Sequence, residues 1–140
     1  MRLKLFNLYL NIGKVEMKER IPVNRPLTVE EFELARWILE NGEPESTIFL
    51  DQLERAHVIA HCPCGCASID FAVEGLPEAP PGVHILGDFI YGDETNLAGV
   101  FVFESGGILS GLEVYGLAVD TPRVLPKLSN LRPLEQNKVQ

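Results

Sequence analysis

Apolar positions change their period near the middle of the chain. From Thr28 to Asn41 they recur at Phe32, Ala35, Trp37, Ile38 and Leu39, a helical spacing. Thr28 supplies a hydroxyl N-cap, and Glu30 and Glu31 place acids where the unpaired N–H groups of a first turn favour negative charge. Asn41-Gly42 is the stop. Pro44-Glu45-Ser46 opens a second predicted helix to about Ala56, with Ile48, Phe49, Leu50 and Leu53 on its inner face. A short turn between two such elements predicts a helical hairpin.

Beyond Ala56 the pattern becomes that of strands. Segments 57–62, 67–74, 83–91, 98–104 and 108–117 are short, rich in Val, Ile and Phe, and separated by Gly, Pro, Asp or Asn. The expected fold class is therefore α+β, an N-terminal helical hairpin packed on an antiparallel sheet of about four to five strands. Residues 1–26 read as a basic arm, in which 3–10 alternate loosely like a strand while Gly13, Pro22 and Pro26 mark a connection. The domain proper is expected at 27–120. Residues 121–140 form a second basic arm whose Pro122 and Pro126 exclude a central strand and whose last residues, 135–140, are expected to fray.

A chain of 140 residues with 46% apolar and 23% charged residues suits one soluble domain. No apolar stretch approaches the roughly 20 residues of a bilayer span. The N-terminus lacks a secretory pattern, and an odd number of cysteines crowded into one loop is no disulfide framework, so a reduced, cytoplasmic protein is expected. The net charge of −8 hides a segregation. Residues 26–120 carry seventeen acidic and two basic residues, whereas 1–25 carry six basic and two acidic, and 121–140 four basic and one acidic. An acidic body disfavours nucleic acid. The basic arms have a partner in the acidic body, either their own or that of a second copy, and a homodimer is one expected state.

The run His61-Cys62-Pro63-Cys64-Gly65-Cys66 holds every cysteine of the chain. Aligning the apolar sets Val58, Ala60, Cys62 and Ala67, Ile69, Phe71, Val73 on one face pairs Cys62 with Ala67 and leaves a four-residue hairpin loop. That register makes Cys62 a buried apolar residue, exposes Cys64 and Cys66, and sets His57 and His61 beside Ser68 and Asp70 on the opposite face. Cys64, Cys66 and His61 are then the candidate metal ligands and zinc the candidate cofactor, with His57, His84, Asp70 or a second subunit as a fourth donor. A second cysteine pair of the usual structural-zinc spacing is absent. A bond between thiols two residues apart would be strained, which suits a switch rather than a staple. No basic residue in the loop itself stabilises a thiolate, and nucleophilic catalysis is disfavoured.

Other polar groups carry weaker signals. His84 shares a strand side with Leu86 and Asp88, and Tyr91–Asn96 reads as a hairpin turn without the ligand spacing of a calcium loop. Ser105-Gly106-Gly107 is a turn that precedes no helix, hence no phosphate cradle. Glu113 and Tyr115 share a strand face, with a solvated face as the simpler account. No catalytic residue is assigned.

Cys62-Pro-Cys64-Gly65-Cys66-Ala-Ser68-Ile69-Asp70-Phe71, with Gly99-Val-Phe-Val-Phe103 and Gly107-Ile-Leu109-Ser110-Gly-Leu112-Glu113-Val114-Tyr115, resembles an uncharacterised group of small bacterial proteins. Proline often follows the last cysteine in that group, where this chain has Ala67. The resemblance implies a bacterial cytosolic domain and no mechanism. Three functions are expected in turn: a non-enzymatic interaction module whose acidic face binds a basic protein, as immunity or antitoxin-like proteins do; a metal-binding or metal-sensing domain using the cysteine loop; and a small enzyme pairing His57, His61 or His84 with Asp70 or Asp88.

Overall fold

A computed structural model of the protein describes residues 20–133. The predicted strand at 3–10 and the fraying end at 135–140 lie outside the described residues. The first helix forms as its sequence demands. In α1, Val29–Asn41, Thr28 Oγ1 accepts from the Glu31 N–H at 3.0 Å and Glu31 Oε1 accepts from the Thr28 N–H at 2.9 Å, a complete capping box. Its buried stripe is Leu34, Ala35, Ile38 and Leu39.

The helical hairpin is not there. Residues after Gly42 form a 3-10 turn, Pro44–Phe49, and one short helix, α2, Leu50–Glu54, which together tuck the chain under the end of α1. Two polar contacts dictate this. The Glu43 N–H donates to Leu86 O at 2.8 Å, and the buried Ser46 hydroxyl donates at 2.6 Å to the carbonyls of Leu39 and Glu43. With its hydroxyl engaged there, Ser46 fastens the last turn of α1 instead of starting a long helix. A side chain at Gly42 would meet the Leu86 carbonyl, so glycine is what allows the close crossing.

The sheet is also larger than expected: among the described residues it has seven antiparallel strands rather than four or five, in the order β1-β2-β3-β6-β5-β4-β7. These are β1 Ile21–Pro26, β2 Ala56–His61, β3 Ile69–Val73, β4 His84–Tyr91, β5 Ala98–Ser105, β6 Ile108–Gly116 and β7 Arg132–Pro133. The extra strands, β1 and β7, are the two edges, where proline costs the sheet least because an edge needs only one row of donors. Pro22, Pro26 and Pro133 occupy them. Their prolines are why the sequence reads as connecting arms.

Alternation along β5 and β6 builds the core, with Val100, Val102, Leu112 and Val114 packed with Leu34, Ile38 and Leu39 of α1. Trp37 and Phe89 of β4 meet edge to face at 4.9 Å. Behind the sheet, Gly99 leaves room for the Tyr115 ring, whose hydroxyl donates to Asp88 at 2.6 Å.

The β2–β3 hairpin carries the site, and its register departs from expectation at one residue. Val58 faces Phe71 and His57 faces Ala72, as the apolar alignment requires, but a bulge between Val58 and Ala60 then shifts the pairing to Ala60 with Asp70 and His61 with Ile69. A bulge turns the side chains beyond it to the other face. His61 therefore joins the side of buried Ile69, and β2 ends before Cys62.

Candidate metal centre

All three cysteines lie in the connection between β2 and β3, and local hydrogen bonds fold it into a compact turn. The Gly65 N–H donates to Cys62 O at 3.2 Å, and the Cys66 N–H to Cys64 Sγ at 3.3 Å. Gly65 has φ of +87°, a conformation that suits glycine. At the far end of the loop the buried Ser68 hydroxyl accepts from the Val114 N–H at 2.9 Å, which anchors the loop to β6. The Ala67 N–H donates to Pro122 O at 3.1 Å and ties it to the C-terminal crossing.

The result is a cluster of three sulfurs. The Sγ atoms of Cys62, Cys64 and Cys66 lie within 4.8 Å of one another, and Cys62 and Cys64 are 2.8 Å apart. All three cysteines are free; Cys64 is exposed, and Cys62 and Cys66 are half-buried. The expected division into one core thiol and two surface thiols is thus replaced by a common group, with β2 ending at His61 and Cys62 already part of the loop. Of the expected ligands, Cys64 and Cys66 belong to this group. His61 lies outside it and lines, with Cys66, Gly65 and Arg123, an adjacent cleft of about 280 Å³.

These three residues can hold a metal ion. Thiolate is the donor that selects soft and borderline cations. Around tetrahedral zinc, sulfurs at about 2.3 Å from the metal stand about 3.8 Å apart, so Cys62 and Cys64 would open by about an ångström on binding. Among the described residues no further His, Cys, Asp or Glu joins the group.

The thiols differ electrostatically. Partial burial, with the hydrogen bond to Cys64, pushes the Cys62 thiol up to about 12. Burial acts in the same direction at Cys64, but hydrogen bonds from Cys62 and Cys66 outweigh it and bring that thiol below its ordinary range. Of these two thiols, Cys64 is therefore the one that ionises first.

Two arginines frame the loop, and sequence reasoning missed both. The Arg20 side chain donates to Asp70 from Nε at 3.1 Å and Nη2 at 2.6 Å. Partial burial pulls its pKa down, but hydrogen bonding and the charge of Asp70, with smaller contributions from Glu113 and Cys62, raise it overall. Arg123 lays its guanidinium against Gly65, where a Cβ would collide with it. The only available signal was the general one, basic flanks around an acidic body. It did not say which arginine meets which loop. On the far side of the cleft Arg25 makes two hydrogen bonds to Glu31, at 2.9 and 3.0 Å.

The remaining candidates do not assemble. His84 Nδ1 lies 2.6 Å from Glu104 Oε2 on an exposed surface, and Asp70 and Asp88 are engaged by Arg20 and Tyr115. No His–Asp hydrogen bond joins the expected enzyme residues among those described. Asp93 binds the Thr95 and Asn96 N–H groups within its own turn. No described helix is long and apolar enough to cross a membrane. No family model, curated protein or solved structure matches the chain.

Proposed function

We propose that the protein is a small metal-binding domain that holds a thiophilic cation, with zinc among the candidates, through Cys62, Cys64 and Cys66. The single observation behind this reading is the convergence of three thiols within 4.8 Å on one loop. Three acidifiable sulfurs brought together without a disulfide are costly to ionise in each other's presence, and a cation removes that cost. The loop is held from outside by Ser68, Pro122 and Arg123, so the donors are already gathered before the ion arrives. Titrating reduced protein with cadmium tests this. One equivalent should produce the ultraviolet thiolate-to-metal band and protect all three thiols from alkylation; full thiol reactivity at saturating cadmium would rule the reading out.

A second reading, an interaction module for a basic protein, is favoured by one feature. Glu30, Glu33, Glu40, Glu43, Glu45, Asp51 and Glu54 are all exposed along α1, the 3-10 turn and α2. Among the described residues only Glu40 and Asp51 of these have ion-pair partners, Arg36 and Arg55. Reversing three of the charges to lysine should abolish salt-sensitive capture of a basic partner while metal binding persists.

A further inference from the structure

The donor count, the exposure of the loop and its charged neighbours together narrow the kind of ion. Structural zinc takes four protein donors, and here a fourth is missing among the described residues: His61, the nearest imidazole in sequence, stands outside the sulfur group in the adjoining cleft. Monovalent copper is softer than zinc, prefers thiolate, and is saturated by three sulfurs in a plane. Charge points the same way. Three thiolates around a monovalent ion leave two negative charges. Two guanidiniums border this loop: Arg20 on the Cys62 side, its charge already balanced by Asp70, and Arg123 over Gly65. Arg123 makes no ion pair with any described acid, so its charge is available to the loop. Cys64 is exposed, which leaves the ion open to an incoming thiol.

Building on the metal-binding reading, we infer that the cysteine loop is a three-coordinate site for monovalent copper, in which Arg123 is the positioning residue that offsets part of the charge of the copper–thiolate group. Binding replaces three S–H bonds by three S–Cu bonds and releases three protons, with no change of oxidation state. An open, three-sulfur site at a loop tip exchanges its ion by associative attack of another thiolate, so transfer to a second cysteine-containing protein needs no unfolding.

The test uses the full chain, reduced and under nitrogen, titrated with copper(I) against bicinchoninate and separately with zinc against a chromogenic chelator. One copper per chain, three protected thiols and an X-ray absorption shell of sulfur alone are expected. Arg123→Gln should weaken copper about three- to tenfold, the effect of removing one charge packed on Gly65 between two of the ligands, and Arg123→Lys should restore most of it. Tight zinc binding with a nitrogen donor in the shell, together with copper no tighter than bicinchoninate, would overturn the copper assignment and leave the metal-binding reading intact. Thiols that stay reactive in excess copper, zinc and cadmium would end both. An unchanged affinity in Arg123→Gln would remove the charge-offset role.

Discussion

The two ends of the sheet are built by different forces. Across β4, β5 and β6, neighbouring strands pair over most of their length, and Leu86, Val100, Val102, Leu112 and Val114 are almost wholly buried. Around β1, β2 and β3 the strands are shorter and β3 meets β6 at only two residue pairs; Val58, Ile69, Phe71 and Val73 still reach the core, but the contacts around the loop are polar: Arg20 with Asp70, Arg25 with Glu31, Ala67 with Pro122. Apolar burial is insensitive to small displacements of charge, whereas a loop held by a few directed bonds can open by about an ångström to admit an ion. The first region makes the domain stable; the second leaves its sulfurs adjustable.

The sharpest test of that contrast is to damage the first region and look at the second. Leu112→Ala removes a fully buried side chain beside Ile69 and Val102 and should cost about 3 kcal/mol in denaturant unfolding. At a denaturant-free temperature where the variant is folded, cadmium should still bind one to one. Loss of binding in folded protein would mean the two regions are not separable.

Glu31→Ala attacks the junction between the regions. It removes half of the capping box and both hydrogen bonds from Arg25, and should cost about 2 kcal/mol. Burial by itself would raise the Glu31 carboxyl, but Arg25 and the Thr28 N–H outweigh it and hold it below the ordinary range. Because the folded value lies below the unfolded one, the contribution is complete above the unfolded carboxylate pKa of about 4.3 and fades as pH falls through the folded value. Stability measured from pH 6 to pH 3 should fall less steeply in Glu31→Gln than in the parent protein. Equal slopes would show that other carboxylates control the acid limb.

Within the loop the effects on folding become small and those on binding large. Gly65→Ala introduces a side chain at a positive φ and against Arg123, and should cost about 1 kcal/mol while weakening metal binding. Cys64→Ser, at an exposed position, should change metal-free stability by less than about 0.5 kcal/mol and abolish stoichiometric binding of cadmium. A strongly destabilised Cys64→Ser would instead mark the cysteines as packing residues.

Local signals were legible where one short stretch carried the whole instruction. Thr28 and Glu31 specified the start of α1, Gly42 its end, and alternation specified the five strands from β2 to β6 closely enough to place the cysteines between β2 and β3. The second predicted helix was misread because Ile48, Phe49, Leu50 and Leu53 have helical spacing, while the decisive contact is the Ser46 hydroxyl on the Leu39 carbonyl, seven residues back. The edge strands were hidden by Pro22 and Pro26 in one arm and by Pro122 and Pro126 ahead of the other, which weigh against a strand in any reading that does not know where the sheet ends.

The candidate site divides in the same manner. That Cys62, Cys64 and Cys66 share a loop, and that this loop is the chain's one concentration of soft donors, is determined by sequence alone, since residues two apart cannot separate far. Which of them point together was decided by the fold of the loop, where the Gly65 N–H bonds to the Cys62 carbonyl, the Cys66 N–H to the Cys64 sulfur and the Ala67 N–H to the distant Pro122 carbonyl. That Arg123 stands over Gly65 and Arg20 on Asp70 at the edge of the loop was decided by the tertiary fold, because a residue distant in sequence meets a loop only after the sheet has brought the two together.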